Sequence, residues 1–356
     1  MDFTPDETQR AAADLAAGVL ERTSGADAER TWRALADAGL LALAVPVGLG
    51  GDGLGVAGVA AVLTEVGRAA SVVPAWATLA LGVLPVTELG TVAQREALLP
   101  DVAAGKAVLT AALHEPSDPL TVRPATTATP DGGTWRVSGV KTAVPVAATA
   151  RRVLVPATRP GGTGVFLLDP ASAGVSVTES HTATGAPEYT LRLDGAEVDE
   201  PLLPEHPERA LCVLHRHALA GAAALGDGAL AGAVALTTTH LATREQFGRP
   251  LATFQAVAQE IADVYVASRT VHLAAASAVW RLGAGLDPDA DLDIATFWLA
   301  EEAPRALAVC HHLHGGIGVD ETYPLHRYSS LVKDLVRGIG GVAARLERVG
   351  ALVEGA

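Results

Sequence analysis

Apolar positions from Pro5 to about Lys106 recur at helical spacing, as in Ala11, Leu15, Val19 and Leu20 and again in Thr31, Leu35, Leu40 and Leu41, so this stretch predicts a helical unit. Within it, the run Val45-Pro46-Val47-Gly48-Leu49-Gly50-Gly51-Asp52-Gly53-Leu54-Gly55 holds too many glycines for a continuous helix and predicts a long turn. From about Ala107 to Pro204 the period falls to two. Strands are predicted at residues 135–141, 153–157, 164–168, 175–177 and 189–193, with turns at Asp131-Gly132-Gly133 and Asp194-Gly195. After Pro207 helical spacing returns and runs on, broken near Gly283-Ala284-Gly285 and at Gly315-Gly316. The order helical, β, helical predicts an α+β chain of three domains at residues 1–106, 107–205 and 206–356. No internal repeat or low-complexity tail interrupts it.

A length of 356 residues suits two or three packed units of about 100 to 200 residues each. Apolar residues make up 49% of the chain and aromatic ones only 4%, so the cores must be built from Ala, Val and Leu, which suits closely packed helices. A small-residue face at Gly221, Ala224, Gly228, Ala231 and Gly232 would let helices approach closely, and an oligomer is expected. The net charge of −14 argues against a general phosphate-backbone binder, which needs clustered Lys and Arg, so no nucleic-acid partner is expected. Cys212 and Cys310 form neither a CxxC nor a disulfide framework, as suits a reducing compartment. Met1-Asp2-Phe3 opens without a basic region or an apolar run, and a cytoplasmic location is expected. The apolar stretch Ala218 to Leu236 is broken by Asp227, whose burial in lipid would cost ~2.5 to 3.5 kcal/mol. It reads as a buried helix rather than a membrane span.

Two segments carry candidate chemistry. In Arg244-Glu245-Gln246-Phe247-Gly248-Arg249-Pro250-Leu251, the Arg244 guanidinium offers a planar fork of donors for a pyrophosphate, Phe247 a face for a ring, and Gln246 an amide for phosphate or ribose. Pro250 is expected to end the preceding helix, and Gln255 to start the next one close to the same ligand. In His312-Leu313-His314-Gly315-Gly316-Ile317-Gly318 the paired glycines suggest a backbone brought close to a ligand. No cysteine or carboxylate pattern joins His311, His312 and His314 into a four-ligand site, so no metal is expected.

Together these segments resemble the two FAD-binding signatures of the acyl-CoA dehydrogenase family. Glu321-Thr322-Tyr323-Pro324-Leu325-His326-Arg327 strengthens the likeness, as do Ala38-Gly39-Leu40-Leu41 and Glu65-Val66-Gly67-Arg68, which are similar to an early helix-loop-helix of that family. The resemblance covers the whole chain. It implies an N-terminal helical domain, a middle β-barrel or sandwich domain and a C-terminal four-helix-bundle domain. It also implies FAD as cofactor, an acyl-CoA thioester as substrate, and Arg244, Gln246, Phe247, Gln255, His312, Gly315 and Gly316 as cofactor-binding residues, with His312 where the family has a glutamine.

Departures from the pattern matter as much. Removing a proton beside a thioester carbonyl and a hydride from the adjacent carbon requires a carboxylate base. The positions where the family carries that glutamate fall at or next to Ile339, in Arg337-Gly338-Ile339-Gly340, and near Ala218. Both are apolar. His215 and His217 lie close to the second position, although histidines on an apolar helix are more often core residues or pocket walls, and no catalytic residue is assigned. Of the family's Thr-Glu-Pro and glycine-rich Ser-Asp element only Leu113-His114-Glu115-Pro116-Ser117-Asp118 remains. The strand expected to meet the flavin ring reads Val140-Lys141-Thr142-Ala143-Val144-Pro145, and its proline lacks an amide donor.

In the family's tetramer each FAD lies across a subunit interface. The resemblance therefore implies a subunit that lacks the base and completes the FAD site of a homologous catalytic partner in a heterotetramer, acting on a bulky acyl-CoA such as a sterol side-chain thioester. The alternatives are a self-sufficient homomeric dehydrogenase with a non-standard base, and a non-redox structural or binding member of the fold. Neither the acyl chain nor the electron acceptor is legible.

Overall fold

The computed structural model describes residues 3–199, 201–203 and 205–354; Met1, Asp2 and Pro204, landmarks of the sequence, lie outside them. The chain divides into two compact units, each discontinuous in sequence. One is formed by the residues up to Glu21, by Ala60–Ser71 and by the chain from Ala222 onward; the other by Arg22–Val59 and Val72–Gly221.

The unit that includes the sheet begins with helix α2 (Ala28–Asp37), capped by the Asp27 carboxylate, which accepts the Arg30 N–H at 2.7 Å. A π-helical segment, Trp76–Val83, runs directly into α4 (Leu84–Leu89). Helix α5 (Val92–Ala103) starts at a capping box in which Thr91 and Gln94 satisfy each other's backbone N–H groups. The sheet contains β1 (Leu109–Ala111), β2 (Thr127–Asp131), β3 (Thr134–Pro145), β4 (Arg152–Arg159), β5 (Gly162–Leu168), β6 (Val175–His181) and β7 (Pro187–Val198). Its order is β1-β4-β2-β3-β7-β6, with β5 paired to β4. The inward positions of these strands, among them Val137, Val144, Val155, Phe166, Leu168 and Leu191, make one apolar core, against which Trp135 packs. All five predicted strands are present. Asp194-Gly195, however, lies inside β7 rather than between strands: Gly195 takes φ +62°, close to where the β3/β7 register shifts between Val137 and Gly139.

The other unit is helical. It holds α1 (Glu7–Arg22), most of α3 (Gly55–Arg68), the later part of α6 (Pro207–Thr243), α7 (Gln255–Gly283), α8 (Asp289–His314), α9 (Leu325–Gly338) and α10 (Gly341–Glu354). Helix α1 buries Ala12, Ala16, Val19 and Leu20, while Leu15 is 44% exposed, so its inward face is rotated by one position from the one read in the sequence. The small-residue face of α6 is spent inside the chain. A Cβ on Gly228 would stand 1.8 Å from the Thr64 carbonyl oxygen and one on Gly232 2.3 Å from that of Arg68, so α3 lies nearly backbone to backbone on α6. Those two glycines therefore give no support to an intersubunit contact. An Asp227–His272 pair at 2.9 Å joins α6 to α7, and the buried Asp293 receives Arg345 and Arg348 from α10. Among the described residues α6 is the one helix long and apolar enough to cross a membrane, and 78% of its apolar window is buried in the protein.

Candidate functional site

Three helix ends meet at one edge of the helical unit: the end of α6, the start of α7 and the end of α8. Glu260 of α7 lies 4.0 Å from His312 of α8. His240 of α6 stacks on His314 of α8, with ring centroids 4.4 Å apart. All seven sequence-predicted binding residues sit on this edge.

Helix α6 stops at Thr243, seven residues before the proline expected to end it. A hairpin with two-residue arms succeeds it. Glu245 pairs with Pro250 and Gln246 with Arg249, and the Arg244 carbonyl accepts the Leu251 N–H at 2.8 Å. The turn residues Phe247 and Gly248 take φ +53° and +77°, the left-handed pair required by a tight turn that matches strand twist. Glycine tolerates this freely, whereas Phe247 does so at a cost of about 1–2 kcal/mol. Phe247 is 93% exposed, so no core contact of this chain accounts for it. Phe254 meets Phe247 edge to face at 6.2 Å, and the Arg249 guanidinium lies over the Phe254 ring at 4.1 Å. Arg244 is exposed, and no carboxylate among the described residues pairs with it. The Gln246 side chain donates to the Glu245 carbonyl at 2.8 Å, and Gln255, also exposed, is the first residue of α7.

Gly315 ends α8 with φ +62° and ψ −139°, a region glycine alone enters without strain. Gly316 has no such constraint, yet the space a Cβ would occupy there is open to at least 4 Å, as it is at Gly315. His312 is 76% exposed. His311 and His314 are engaged otherwise. His311 faces the Gly318 carbonyl and Ser329, and His314 the Cys310 carbonyl and Tyr323.

The two positions at which the sequence resemblance places the family's glutamate are closed. Ile339, 1% exposed, caps α9 through its N–H to the Leu335 carbonyl. Ala218, also 1% exposed, lies in the sheet-bearing unit, where its carbonyl accepts the Trp76 indole N–H at 3.0 Å. Next to it His217 Nε2 lies 2.8 Å from Glu88 Oε2. A hydrogen bond and charge from His217, aided by Arg209 and Arg216, hold the Glu88 carboxyl below its usual range against the effect of burial. Glu88 is a residue that sequence reading missed, because it is 129 positions away and nothing local marks it.

In the sheet unit, Glu115 and Asp118 exchange backbone hydrogen bonds at 3.0 Å, closing a turn in which Ser117 takes φ +62°. The Thr142 N–H donates to the His114 carbonyl, and Ala143 and Val146 take φ +53° and +46° around a bulge in β3. Lys141, with no exposed side chain, donates to Glu115 at 2.8 Å. Glu115 also accepts the N–H groups of Ala125 and Thr126. Its carboxylate is therefore fully committed within the chain.

Residues 4–106 match the acyl-CoA dehydrogenase N-terminal domain, and residues 214–338 the acyl-CoA dehydrogenase C-terminal domain. Acyl-CoA dehydrogenase FadE28 of Mycobacterium tuberculosis is 46% identical over 352 residues, covering 99% of this chain and 98% of the relative. FadE27 of the same organism is 31% identical and covers 98% of each. Among solved structures, a variant of the Tcur3481-Tcur3483 steroid ACAD superposes with a TM-score of 0.91 at 36% identity, over 98% of each chain. The ChsE4-ChsE5 complex from Mycobacterium tuberculosis gives 0.92 at 30% identity, over the full length of both chains. With its N-terminal helices, central curled sheet and C-terminal helical domain, this chain belongs to the acyl-CoA dehydrogenase family.

Proposed function

We propose that this chain is a subunit of a heteromeric, FAD-dependent acyl-CoA dehydrogenase, and that it supplies one edge of an FAD site without supplying the catalytic base. The single observation that carries the reading is the pairing of a cofactor edge intact in its residues with two base positions closed by Ile339 and Ala218. The edge suits the group. Gly316 needs no glycine for its own conformation, and the strained, exposed Phe247 serves no core, so a ligand laid against both accounts for what the chain alone does not. Arg244 would pair with the pyrophosphate through a charge-assisted fork, Gln246 and Gln255 would meet phosphate or ribose, and Phe247 would take a ring face. His312, beside Glu260, would stand at the same backbone approach as Gly315 and Gly316. When bound, FAD supplies the hydride acceptor for oxidation of the bond next to the thioester. Proton removal falls to a carboxylate of a homologous partner.

The names of the ChsE4-ChsE5 and Tcur3481-Tcur3483 complexes support a two-chain assembly, and the word steroid in the second supports a sterol side-chain thioester as substrate class. A cytoplasmic location belongs to the same proposal. One observation favours the self-sufficient reading instead. The Glu88 carboxylate requires a proton on His217 Nε2, which leaves Nδ1 an acceptor, and that atom is buried with no hydrogen-bond partner among the described residues.

Purification tests the reading. The chain alone is expected to be colourless, and co-expression with a glutamate-bearing homologue should yield a yellow oligomer by sedimentation. A yellow chain on its own, or a stable micromolar monomer that ignores the partner, would count against it. In the complex, Arg244→Ala removes a contact of ~1.5 to 3 kcal/mol, so flavin should be held roughly 10- to 150-fold more weakly. Unchanged flavin content in a folded variant would remove Arg244 from the site.

A further inference from the structure

The glycine turn at the end of α8 rests on imidazoles whose tautomers are fixed by geometry. His314 Nδ1 lies 2.8 Å from the Cys310 carbonyl, which only accepts, so Nδ1 carries the proton. Nε2 of the neutral ring is then the acceptor, and the Tyr323 hydroxyl donates to it at 3.0 Å. His311 repeats the pattern one turn earlier: Nδ1 donates to the Gly318 carbonyl at 2.8 Å and Nε2 accepts from Ser329 at 2.6 Å. The far end of the turn is thus tied through the Gly318 carbonyl to His311, while His314, the residue that opens the turn, is anchored by its ring to Cys310 and Tyr323. His240, from the end of α6, stacks on His314 with 20° between the ring planes, and Tyr323 closes on both rings at 5.2 and 6.5 Å.

Neutral imidazoles stack readily, whereas two imidazoliums at this distance repel. The charges acting on the rings would add to that repulsion: Arg244 acts on His240, and His240 and His311 act on His314. Tyr323, which bears on both rings, has its carbonyl facing His326 at 2.7 Å. No carboxylate among the described residues acts on either stacked ring.

We propose that His240 and His314 are positioning residues of the Gly315-Gly316 turn that hold it in place only while both rings are neutral, so that this edge of the cofactor site opens on mild acidification. Burial first keeps both rings below the usual imidazole value of 6.5, aided at His240 by Arg244 and at His314 by His240 and His311, against the Cys310 hydrogen bond, which raises His314. For a ring so depressed, the unfolded chain binds the proton more tightly than the folded one. The stabilisation is complete above 6.5 and is lost as pH falls through the lowered folded values. The link to the cofactor rests on the proposed function, but the clamp itself does not.

Amide hydrogen exchange of the full-length chain without added flavin, at pH 7.5 and 5.5 and corrected for intrinsic rates, tests the clamp separately. Protection of residues 315–319 should fall about tenfold at the lower pH, while β4 and β5 keep theirs. The double variant His240→Phe, His314→Gln retains a stacking ring and a donor-acceptor side chain but cannot titrate, and should be equally protected at both values. Equal protection of the wild-type turn at both pH values, or the same loss in the double variant, overturns the proposal. Should that variant not fold, ring-proton NMR of the wild type decides: two histidines titrating below 6.5 are expected, and ordinary titration of His240 and His314 overturns it. Flavin retention by the complex, measured in parallel, should weaken over the same range. If it stays constant while exchange protection falls, the clamp stands and the assignment of this turn to the cofactor fails.

Discussion

Acyl-CoA oxidation by the purified chain, measured with an artificial electron acceptor, is expected to lie ~100- to 10,000-fold below that of its complex with a glutamate-bearing partner, the range that a positioned proton acceptor contributes. In the proposed reading the base positions are held by Ile339 and Ala218, each only 1% exposed. Restoring the charge in place should not help. Ile339→Glu would bury a carboxylate at a site 1% exposed to water, where ionisation is strongly disfavoured without a partner, so loss of stability rather than gain of turnover is the expected result. In the complex, replacing the partner's glutamate should abolish oxidation, whereas replacing His215 or His217 should leave most of it. The opposite pattern has a definite meaning: robust turnover by the chain alone, lost in His217→Asn, would establish the Glu88–His217 pair as the base and the homomeric reading as correct.

Legibility of the sequence tracked the range of the forces involved. Period-two alternation and flanking turn residues marked β3, β4, β5, β6 and β7, although β4 is buried at five successive positions and β6 is mostly exposed. They missed β1, only three residues long and buried throughout, and β2, whose Thr127-Ala128-Thr129-Pro130-Asp131 is mostly exposed and carries a proline. Asp194-Gly195 has the composition of a hairpin turn, but pairing of β7 with both β3 and β6 carries the strand through it. Pro250 reads as a helix stop, yet α6 has already ended at Thr243, and the proline belongs to the return arm of a hairpin. The exposed residues of the candidate edge could be singled out because their types fit a ligand and lack a structural use. The groups behind them could not. His240 meets His314 across 74 positions and Glu88 meets His217 across 129, contacts set by tertiary packing and marked by no local pattern.

Substituting either member of the Lys141–Glu115 pair is expected to destabilise the sheet-bearing unit by ~3–5 kcal/mol, because each change strands a charge or an acceptor in a place with almost no water. Lys141 has no exposed side-chain surface and Glu115 only 4%, with 2.8 Å between them. Burial alone would raise the Glu115 carboxyl. The Lys141 ammonium and the Thr126 hydrogen bonds outweigh it and bring the carboxyl down to about 2. With a folded value depressed from 4.5, the carboxylate contributes its full stabilisation above about pH 4.5 and loses it as pH falls toward 2. Lys141→Met should therefore lower the melting temperature at pH 7 and flatten its acid dependence, and Glu115→Gln should remove the share of that dependence that Glu115 contributes. The double substitution should cost less than the sum of the two, since no lone ion remains. It should still cost something, because the Ala125 and Thr126 N–H groups both donate to Glu115 and a glutamine carbonyl serves them less well. Strict additivity of the two single losses would mean that the ion pair is not the interaction holding the Glu115–Asp118 turn beside the β3 bulge. A disturbed pair should also reach the neighbouring backbone, since Thr142, next to Lys141, donates to the His114 carbonyl, next to Glu115. The buried charges thus fix the register of two segments whose left-handed residues Ser117, Ala143 and Val146 would otherwise relax.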